Sequence, residues 1–282
     1  MPSHEGAEPA VRLDVDGAVA TVTLCDADRR NPQSPRLWHH LAELGSNLPA
    51  GVRVVVVRAE GPSFSAGLDR SFLNLRSGRG PADSGAQDTA MFTGAGIAGD
   101  LSLAGLATGT DGEIQARISG FQEAFSVWRR ADVVSVAAVQ GHAVGAGFQL
   151  ALACDLRVCA DDVRFSMRET SLGLVPDLGG TRPLVRTVGY ARALELCVTG
   201  RWVSAAEAEQ LGLATVVVPR DALDATVSDL VAALVAPPHR AVTATKAVLQ
   251  AADDERYDEQ LAVERLAQVD LLRALVATRQ TP

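Results

Sequence analysis

Residues 133–182 read VVSVAAVQGHAVGAGFQLALACDLRVCADDVRFSMRETSLGLVPDLGGTR, and the pattern of this stretch is the strongest indication of the fold. It opens with a short apolar run rich in β-branched residues, 133–139, which predicts a strand buried on both faces. A predicted buried helix over residues 148–153 comes after three glycines, Gly141, Gly145 and Gly147. A glycine-rich turn that opens into a helix presents backbone N–H groups at the positive end of the helix dipole. Such a turn suits a ligand oxygen that carries or develops negative charge.

Two isolated carboxylates come later in the same stretch. After a second short predicted strand over residues 155–160, Glu169 and Asp177 stand in a segment otherwise rich in Gly, Leu, Val and Pro. An anion-binding turn followed by isolated carboxylates indicates proton transfer next to a carbonyl group.

Three motifs in this region resemble those of the crotonase superfamily, the enoyl-CoA hydratase/isomerase family. They are GHAVGAGFQLALACD, RETSLGLVPDLGGT and VTGRWVSAAEAEQLGLA, and they occur in the family's order and spacing. The resemblance runs from about residue 11 to residue 219 and continues more loosely to the C-terminus. It implies an α/β crotonase-type fold of ββα repeats in a spiral core with a C-terminal helical region. It also implies a homotrimer or hexamer.

A fourth motif, FSAGLD over residues 64–69, resembles the family's first signature. The resemblance implies that the backbone N–H groups of Leu68 and Ala146 form an oxyanion hole for the thioester oxygen of an acyl-CoA. The substrate-binding residues expected beside the hole are Ser65, Ala66, Gly67, Asp69 and Gly145. His142 either lines the pocket or is packed near the end of the strand. Lys246, the one lysine of the chain, either reaches the ribose phosphate of CoA or is a solvated helix residue.

Three side chains decide the predicted reaction. Hydratases of the family use two Glu residues to hold and activate a water, and the matching positions here are Gln149 and Glu169. Because a neutral amide does not accept a proton at neutral pH, efficient hydration is not expected. Isomerases need one proton shuttle, and several of them carry an Asp eight positions after the second Glu, as Asp177 is here. We therefore expect Glu169 as the shuttle, Asp177 as a second acid/base, and Gln149 to orient substrate or water.

Several alternatives stay open from sequence. Glu169 could instead form a salt bridge with Arg164 or Arg168, and Asp177 could cap the helix after Gly179–Gly180. The favoured function is enoyl-CoA double-bond isomerisation. Enoyl-CoA hydration and a catalytically silent acyl-CoA-binding protein are the other candidates.

Composition and charge set the broad class. The chain has 282 residues, 47% of them hydrophobic and 21% charged, with a formal net charge of −8. This composition predicts a globular protein whose main partner is neither nucleic acid nor an anionic membrane surface. No leader sequence is recognised at the N-terminus, so cytoplasmic localisation is expected. The four cysteines lack paired metal-ligand spacing, and we expect no metal, no disulfide and no cofactor besides the coenzyme A of the substrate.

The predicted organisation is a disordered lead over residues 1–10, a core over 11–219 with a loop insertion at 76–112, and a helical region over 220–282. A DG turn predicts a hairpin of strands 11–15 and 18–24, and further strands are predicted at 53–59 and 214–218. A capping box at Ser204 and Glu207 predicts one helix start. The helix from residue 112 carries an apolar stripe that either packs on the core or lines the acyl site: Ile114, Ile118, Phe121, Phe125 and Trp128. Other helices are predicted at 35–44, 183–188, 191–198, 222–234, 239–250 and 255–278.

Overall fold

The computed structural model describes residues 10–69, Phe72, 103–252 and 256–279. The predicted disordered lead, apart from Ala10, and residues 76–102 of the predicted insertion lie outside the described residues. Among the described residues, no helix combines the length and the apolar character that crossing a bilayer requires.

The described chain begins with the predicted hairpin, β1 (Val11–Asp16) and β2 (Val19–Leu24). These strands pair in antiparallel register, and a short strand β3 (Pro32–Gln33) follows them. Helix α1 (Pro35–Ser46) starts with proline in its first turn, and the hydroxyl of Ser34 accepts a hydrogen bond from the Leu37 N–H. Proline fits this position because the first helical N–H groups have no partner within the helix.

The remaining elements alternate strands and helices. The strands are β4 (Val54–Ala59), β5 (Gly67–Leu68), β6 (Val134–Val139), β7 (His142–Val144), β8 (Leu156–Ala160), β9 (Arg164–Ser166), β10 (Val203–Ser204) and β11 (Val216–Val218). The helices are α2 (Leu103–Leu106), α3 (Asp111–Ser126), α4 (Ala146–Ala153), α5 (Thr181–Val188), α6 (Tyr190–Thr199), α7 (Ala205–Gln210), α8 (Leu223–Val235), α9 (His239–Ala251) and α10 (Tyr257–Arg279). Every helix and strand predicted within the described residues is present, with small shifts at the ends.

Six strands form the main sheet in the order β1-β2-β4-β6-β8-β11. Apart from the β1–β2 hairpin, the neighbours are parallel. All six residues of β6 are buried, as expected for a parallel strand covered on both faces. Helix α8 covers one face through Leu223 and Val227, while the larger apolar core lies on the other face.

The predicted ββα repeat is confirmed by the strand order. In two successive units a long strand of the main sheet is followed by a short strand of a second sheet and then by a helix: β6-β7-α4 and β8-β9-α5. The second sheet has the order β10-β9-β7, and an isolated bridge between Ser65 and Ala143 adds the chain before β5 to it. The short strands therefore bring together chain segments that are far apart in sequence.

The C-terminal part of the predicted apolar stripe packs on the core, whereas Ile114 and Ile118 are only half-buried. Phe121 and Phe125 contact the Trp38 ring of α1, with ring centroids 5.1 and 6.1 Å apart, and Trp128 is fully buried. The capping box predicted at α7 is only half formed. Ser204 accepts a hydrogen bond from the Glu207 N–H, but the Glu207 carboxylate binds the Arg201 guanidinium instead of reaching back.

Candidate active site

Two turns meet where β5 and α4 begin, and the contact between them leaves no space for a side chain at Gly67. Its φ is +84°, and a Cβ there would lie 2.5 Å from the Val144 carbonyl oxygen. The buried Ser65 hydroxyl holds the first turn by donating to the Asn31 carbonyl at 2.7 Å and accepting from the Gly67 N–H at 3.2 Å. The FSAGLD motif over residues 64–69 thus forms a tight backbone turn that packs against β7.

The second turn ends at Gly145, whose φ of +50° and ψ of −116° favour glycine. Helix α4 starts at the next residue, Ala146, so the amides of its first turn have no acceptor within the helix. Leu68 and Ala146 both line one cavity of about 520 Å³. The structure therefore brings the two predicted donor residues to the same cavity wall.

Glu169 lies beside this wall. It begins a 3-10 turn, Glu169–Leu172, and a Cβ added at Gly145 would lie 3.3 Å from its Oε1 atom. Oε1 accepts a hydrogen bond from Nε2 of Gln149 at 2.6 Å, whereas Oε2 is buried and has no partner among the described residues. Burial raises the pKa of Glu169, and the neighbouring Asp177 carboxylate raises it further. Hydrogen bonds from the Glu169 backbone amide and from Gln149 lower the pKa of the Glu169 carboxyl, but the pKa stays above its ordinary value.

Asp177 lines the same cavity, and burial raises its pKa. The prediction that it caps the next helix is wrong, since α5 has Gly180 at its N-cap and no side-chain cap. The alternative salt bridge of Glu169 with Arg164 or Arg168 is also wrong, because Oε1 bonds to Gln149 and Oε2 has no partner among the described residues. Two carboxyl groups with raised pKa values in one cavity can give and take protons near neutral pH more readily than exposed ones.

The cavity extends to both sides of the turn at Gly145. On the helix side, about 5 Å along α4 from its start at 1.5 Å per residue, lies Gln149. Asp177 and Leu178 also line the cavity, and the Leu178 N–H donates to Gln149. On the strand side, roughly 10 Å back along β7 at about 3.3 Å per residue, lies His142. Further apolar lining comes from Trp38, Leu68, Leu172 and Leu174.

The strand side carries a cluster of aromatic and cationic side chains. The His142 and Trp202 rings meet edge to face with centroids 5.4 Å apart, and the Arg168 guanidinium lies 5.1 Å from the centroid of the Trp202 ring. A second arginine, Arg30, also lines the cavity, and its carbonyl accepts from the Ala66 N–H. This end of the cavity suits anionic and planar groups of a ligand.

Comparison with known proteins decides the family. The profile of the enoyl-CoA hydratase/isomerase family matches residues 98–276, more than half of the chain. The chain belongs to this family.

Relatives and solved structures of the enoyl-CoA hydratase/isomerase family agree over most of the chain. A Bacillus subtilis (strain 168) protein named as a probable enoyl-CoA hydratase is 32% identical over 214 residues, covering 73% of this chain and 68% of its own. An Arabidopsis thaliana peroxisomal Delta(3,5)-Delta(2,4)-dienoyl-CoA isomerase is 31% identical over 199 residues, covering 70% of this chain and 64% of its own. A crystal structure of a Thermobifida fusca YX protein, provisionally named enoyl-CoA hydratase and solved with CoA, is 43% identical, with a TM-score of 0.82 and 95% coverage of both chains.

Three predicted substrate-binding residues of this family member have other partners in the structure. The Ser65 hydroxyl is turned into the protein, as described above, and Asp69 pairs with Arg29. Lys246 is buried, 9% exposed, with its ammonium 2.7 Å from both the Val133 carbonyl and the Asp155 carboxylate. Both predictions for Lys246, a CoA phosphate contact and a solvated lysine, are therefore corrected to a structural ion pair.

The other predicted residues, Ala66, Gly67, His142 and Gly145, do line the cavity. Sequence reasoning missed Arg30, Trp38 and Trp202 as lining residues, and it considered Arg168 only as an ion-pair partner. The rarity of tryptophan was the one signal for Trp38 and Trp202 in the sequence, since the chain has only three. In the structure these two line the cavity.

Proposed function

We propose that this protein isomerises the double bond of an enoyl-CoA, with Glu169 as the proton shuttle. The observation that carries the proposal is the carboxylate oxygen Oε2 of Glu169, which has no partner among the described residues and lies beside the turn at Gly145 that leads into Ala146. Leu68 lines the same cavity. At the position where a second carboxylate would serve hydration stands Gln149.

The proposed step begins with a trans-3-enoyl-CoA whose thioester oxygen accepts the Leu68 and Ala146 N–H groups. Glu169 takes a proton from C2, and the electron pair of the C–H bond moves toward the thioester oxygen to give a dienolate. Amides that are already oriented stabilise this negative charge without reorganisation. A proton is then returned at C4, either from Glu169 or from protonated Asp177, and the double bond lies between C2 and C3. No atom is gained or lost.

The contacts of Gln149 argue against efficient water addition. Its Oε1 atom accepts from the Leu178 N–H at 3.0 Å and from the Gly180 N–H at 3.3 Å, and its Nε2 atom donates to Glu169. An amide oxygen has two lone pairs, and both have partners here. Gln149 therefore has no acceptor left for a water proton, and Glu169 alone would have to activate the water.

The substrate class is supported by the lining of the cavity. Arg168, beside Trp202 and His142, is offered to an anionic group such as the phosphates of CoA, and Arg30 is a second cation of the lining. Apolar residues and both carboxyl groups of the same cavity are offered to the acyl chain. The Thermobifida fusca YX protein has been solved with CoA and also with acetoacetyl-CoA. We therefore place CoA on the strand side and the reacting carbons beside Glu169.

Hydration is the second candidate, because the Bacillus subtilis relative is named as a hydratase. The test is a proton NMR time course in heavy water with trans-3-enoyl-CoA and trans-2-enoyl-CoA supplied separately. We expect conversion of the 3-enoyl to the 2-enoyl compound with deuterium incorporation. Loss of a general base costs about 10²–10⁴-fold, so Glu169→Gln should abolish most of the conversion.

The same experiment separates the alternatives. Rapid formation of 3-hydroxyacyl-CoA from the 2-enoyl substrate, without isomerisation, would replace our proposal by a hydratase. If neither substrate reacts but acyl-CoA still raises the melting temperature, the protein is a silent binder. Arg164→Gln is a matched control, since Arg164 is exposed at the start of β9 and does not line the cavity.

We further propose the homotrimer or hexamer that the family resemblance implies. Helix α10 supports this proposal with an exposed set of large apolar side chains: Leu266, Val269, Leu272 and Leu275. Light scattering after size exclusion measures the mass directly, and a monomer at micromolar concentration would refute it.

A further inference from the structure

Gln149 is the most tightly held polar side chain of the site. It lies one turn into α4 and is fully buried. The Gly180 backbone packs against it so closely that a Cβ there would lie 2.7 Å from Cγ of Gln149. A side chain held in this way has no space to rotate toward a substrate.

The partners of Gln149 also fix which end of its amide faces Glu169. Two backbone N–H groups, from Leu178 and Gly180, point at one atom, and only an amide oxygen accepts from both. The NH₂ end therefore points at Glu169, where it donates over 2.6 Å. Reversing the amide would set its NH₂ against two donors and its oxygen against a carboxylate.

This arrangement has a consequence for each carboxyl group. The charge-assisted bond holds Oε1 of Glu169, whereas Oε2 is buried and has no hydrogen-bond partner among the described residues. The same amide anchors the segment 178–180, which directly follows Asp177. Gln149 thus supports both groups that handle protons in the proposed reaction.

We propose that Gln149 is a positioning residue: its amide holds one carboxylate oxygen of Glu169, leaves the other as the base, and keeps position 149 itself free of a carboxylate. This inference rests on the proposed function and replaces the expectation that Gln149 orients substrate or water. It predicts that Gln149→Glu would turn the site toward water addition, because the variant restores the second carboxylate that hydratases of the family use. The variant should keep its local structure, since Glu retains an acceptor for the two N–H groups. Its other oxygen would lie about as close to Oε1 of Glu169 as the amide nitrogen does now, 2.6 Å.

Titratable and charged groups around Glu169 bear on the pH dependence of the variants. Asp177 lies close enough to raise the pKa of Glu169, and Glu169 in turn contributes to the raised pKa of Cys197. The other ionisable side chains lining the cavity are Arg30, His142 and Arg168. None of these groups is replaced in Gln149→Met, whereas Gln149→Glu adds a carboxyl group beside Glu169. The shift in Gln149→Met is therefore the one that reports the bond from residue 149.

The test compares wild type with Gln149→Met, which keeps the length of the side chain but donates no hydrogen bond, and with Gln149→Glu. In Gln149→Met the carboxylate loses a donor, so the acid limb of kcat/KM for isomerisation should move to higher pH. We expect kcat to fall about 10–100-fold, on the scale of a lost charge-assisted bond of roughly 1.5–3 kcal/mol, with KM within threefold. Gln149→Glu should show a higher ratio of hydration to isomerisation than wild type.

Side-chain ¹³C NMR titration of Glu-labelled protein, assigned with Glu169→Gln, gives a readout that does not depend on turnover. A higher Glu169 titration midpoint in Gln149→Met supports the inference even if the wild type proves not to be an isomerase. An unchanged midpoint and an unchanged pH profile in Gln149→Met would overturn it, provided that circular dichroism shows a folded variant. If Gln149→Met fails to fold, an unchanged hydration ratio and Glu169 midpoint in Gln149→Glu would overturn it.

Discussion

Replacement of Lys246 by methionine tests the structural ion pair, whose lysine does not line the candidate cavity. The ammonium donates to the Val133 carbonyl just before β6 and to Asp155 just after α4. Asp155 also accepts from the N–H and the hydroxyl of Ser135, at 2.8 and 3.0 Å. Lys246 therefore ties α9 to the strand and the helix that carry the candidate site.

The magnitude follows from burial. Removing one partner of a buried pair costs about 3–5 kcal/mol. The Asp155 side chain is 21% exposed and keeps both Ser135 donors, so the cost should lie at or just below the bottom of that range, roughly 2–3 kcal/mol. For a chain of this size each kcal/mol corresponds to about 2–4 °C, so the melting temperature should fall by about 4–12 °C.

The assay is urea denaturation of Lys246→Met beside KM for an acyl-CoA. We expect the loss of stability with KM within twofold of wild type. The double variant Lys246→Met/Asp155→Asn should recover part of the loss, because no carboxylate is then left without its cation. Unchanged stability with a tenfold higher KM would instead assign Lys246 to CoA binding and refute the structural role.

Three further predictions concern the site. Burial raises the pKa of Glu169 above its value in the unfolded chain, so ionisation of Glu169 destabilises the fold as pH rises from the unfolded pKa through the raised one. Glu169→Gln should therefore have a higher melting temperature than wild type at pH 8. This difference in melting temperature should shrink below pH 4. Gly145→Ala forces a side chain into φ +50° and against Glu169, so differential scanning calorimetry should show a loss of about 1–3 kcal/mol and activity should fall more than tenfold. Gly51→Ala, with positive φ but open space, is its control and should cost stability without loss of kcat. Arg168→Gln should raise KM for acyl-CoA several-fold and weaken its salt dependence, whereas an equal effect in Arg164→Gln would contradict a local role for Arg168.

Much of the fold could be predicted because its signals are local. The run over β6 and the continuous apolar sequence of α4 leave few alternatives to a buried strand and a buried helix. The short strands β3, β5, β7, β9 and β10 were not predicted, since two or three residues carry no periodicity. They exist through pairing with distant segments, as β10 does with β9.

The site was predictable where it depends on motif residues and not where it depends on contacts between motifs. Glu169 and Asp177 could be selected as isolated carboxylates. The hydrogen bonds from the Leu178 and Gly180 N–H groups to Gln149 could not be predicted, because they form only in the folded chain. Lys246 shows the same limit. Its burial depends on Asp155, 91 positions earlier, and the sequence displays only a lysine in a helix.

The proposed isomerase function is best tested by the ratio of two kcat/KM values for the wild-type protein at pH 8, one for isomerisation of trans-3-enoyl-CoA and one for hydration of trans-2-enoyl-CoA. With one free carboxylate oxygen at Glu169 and no acceptor left on Gln149, we predict that isomerisation exceeds hydration by at least tenfold. A ratio below one would contradict the claim, because a single Glu beside Gln149 would then suffice to activate water.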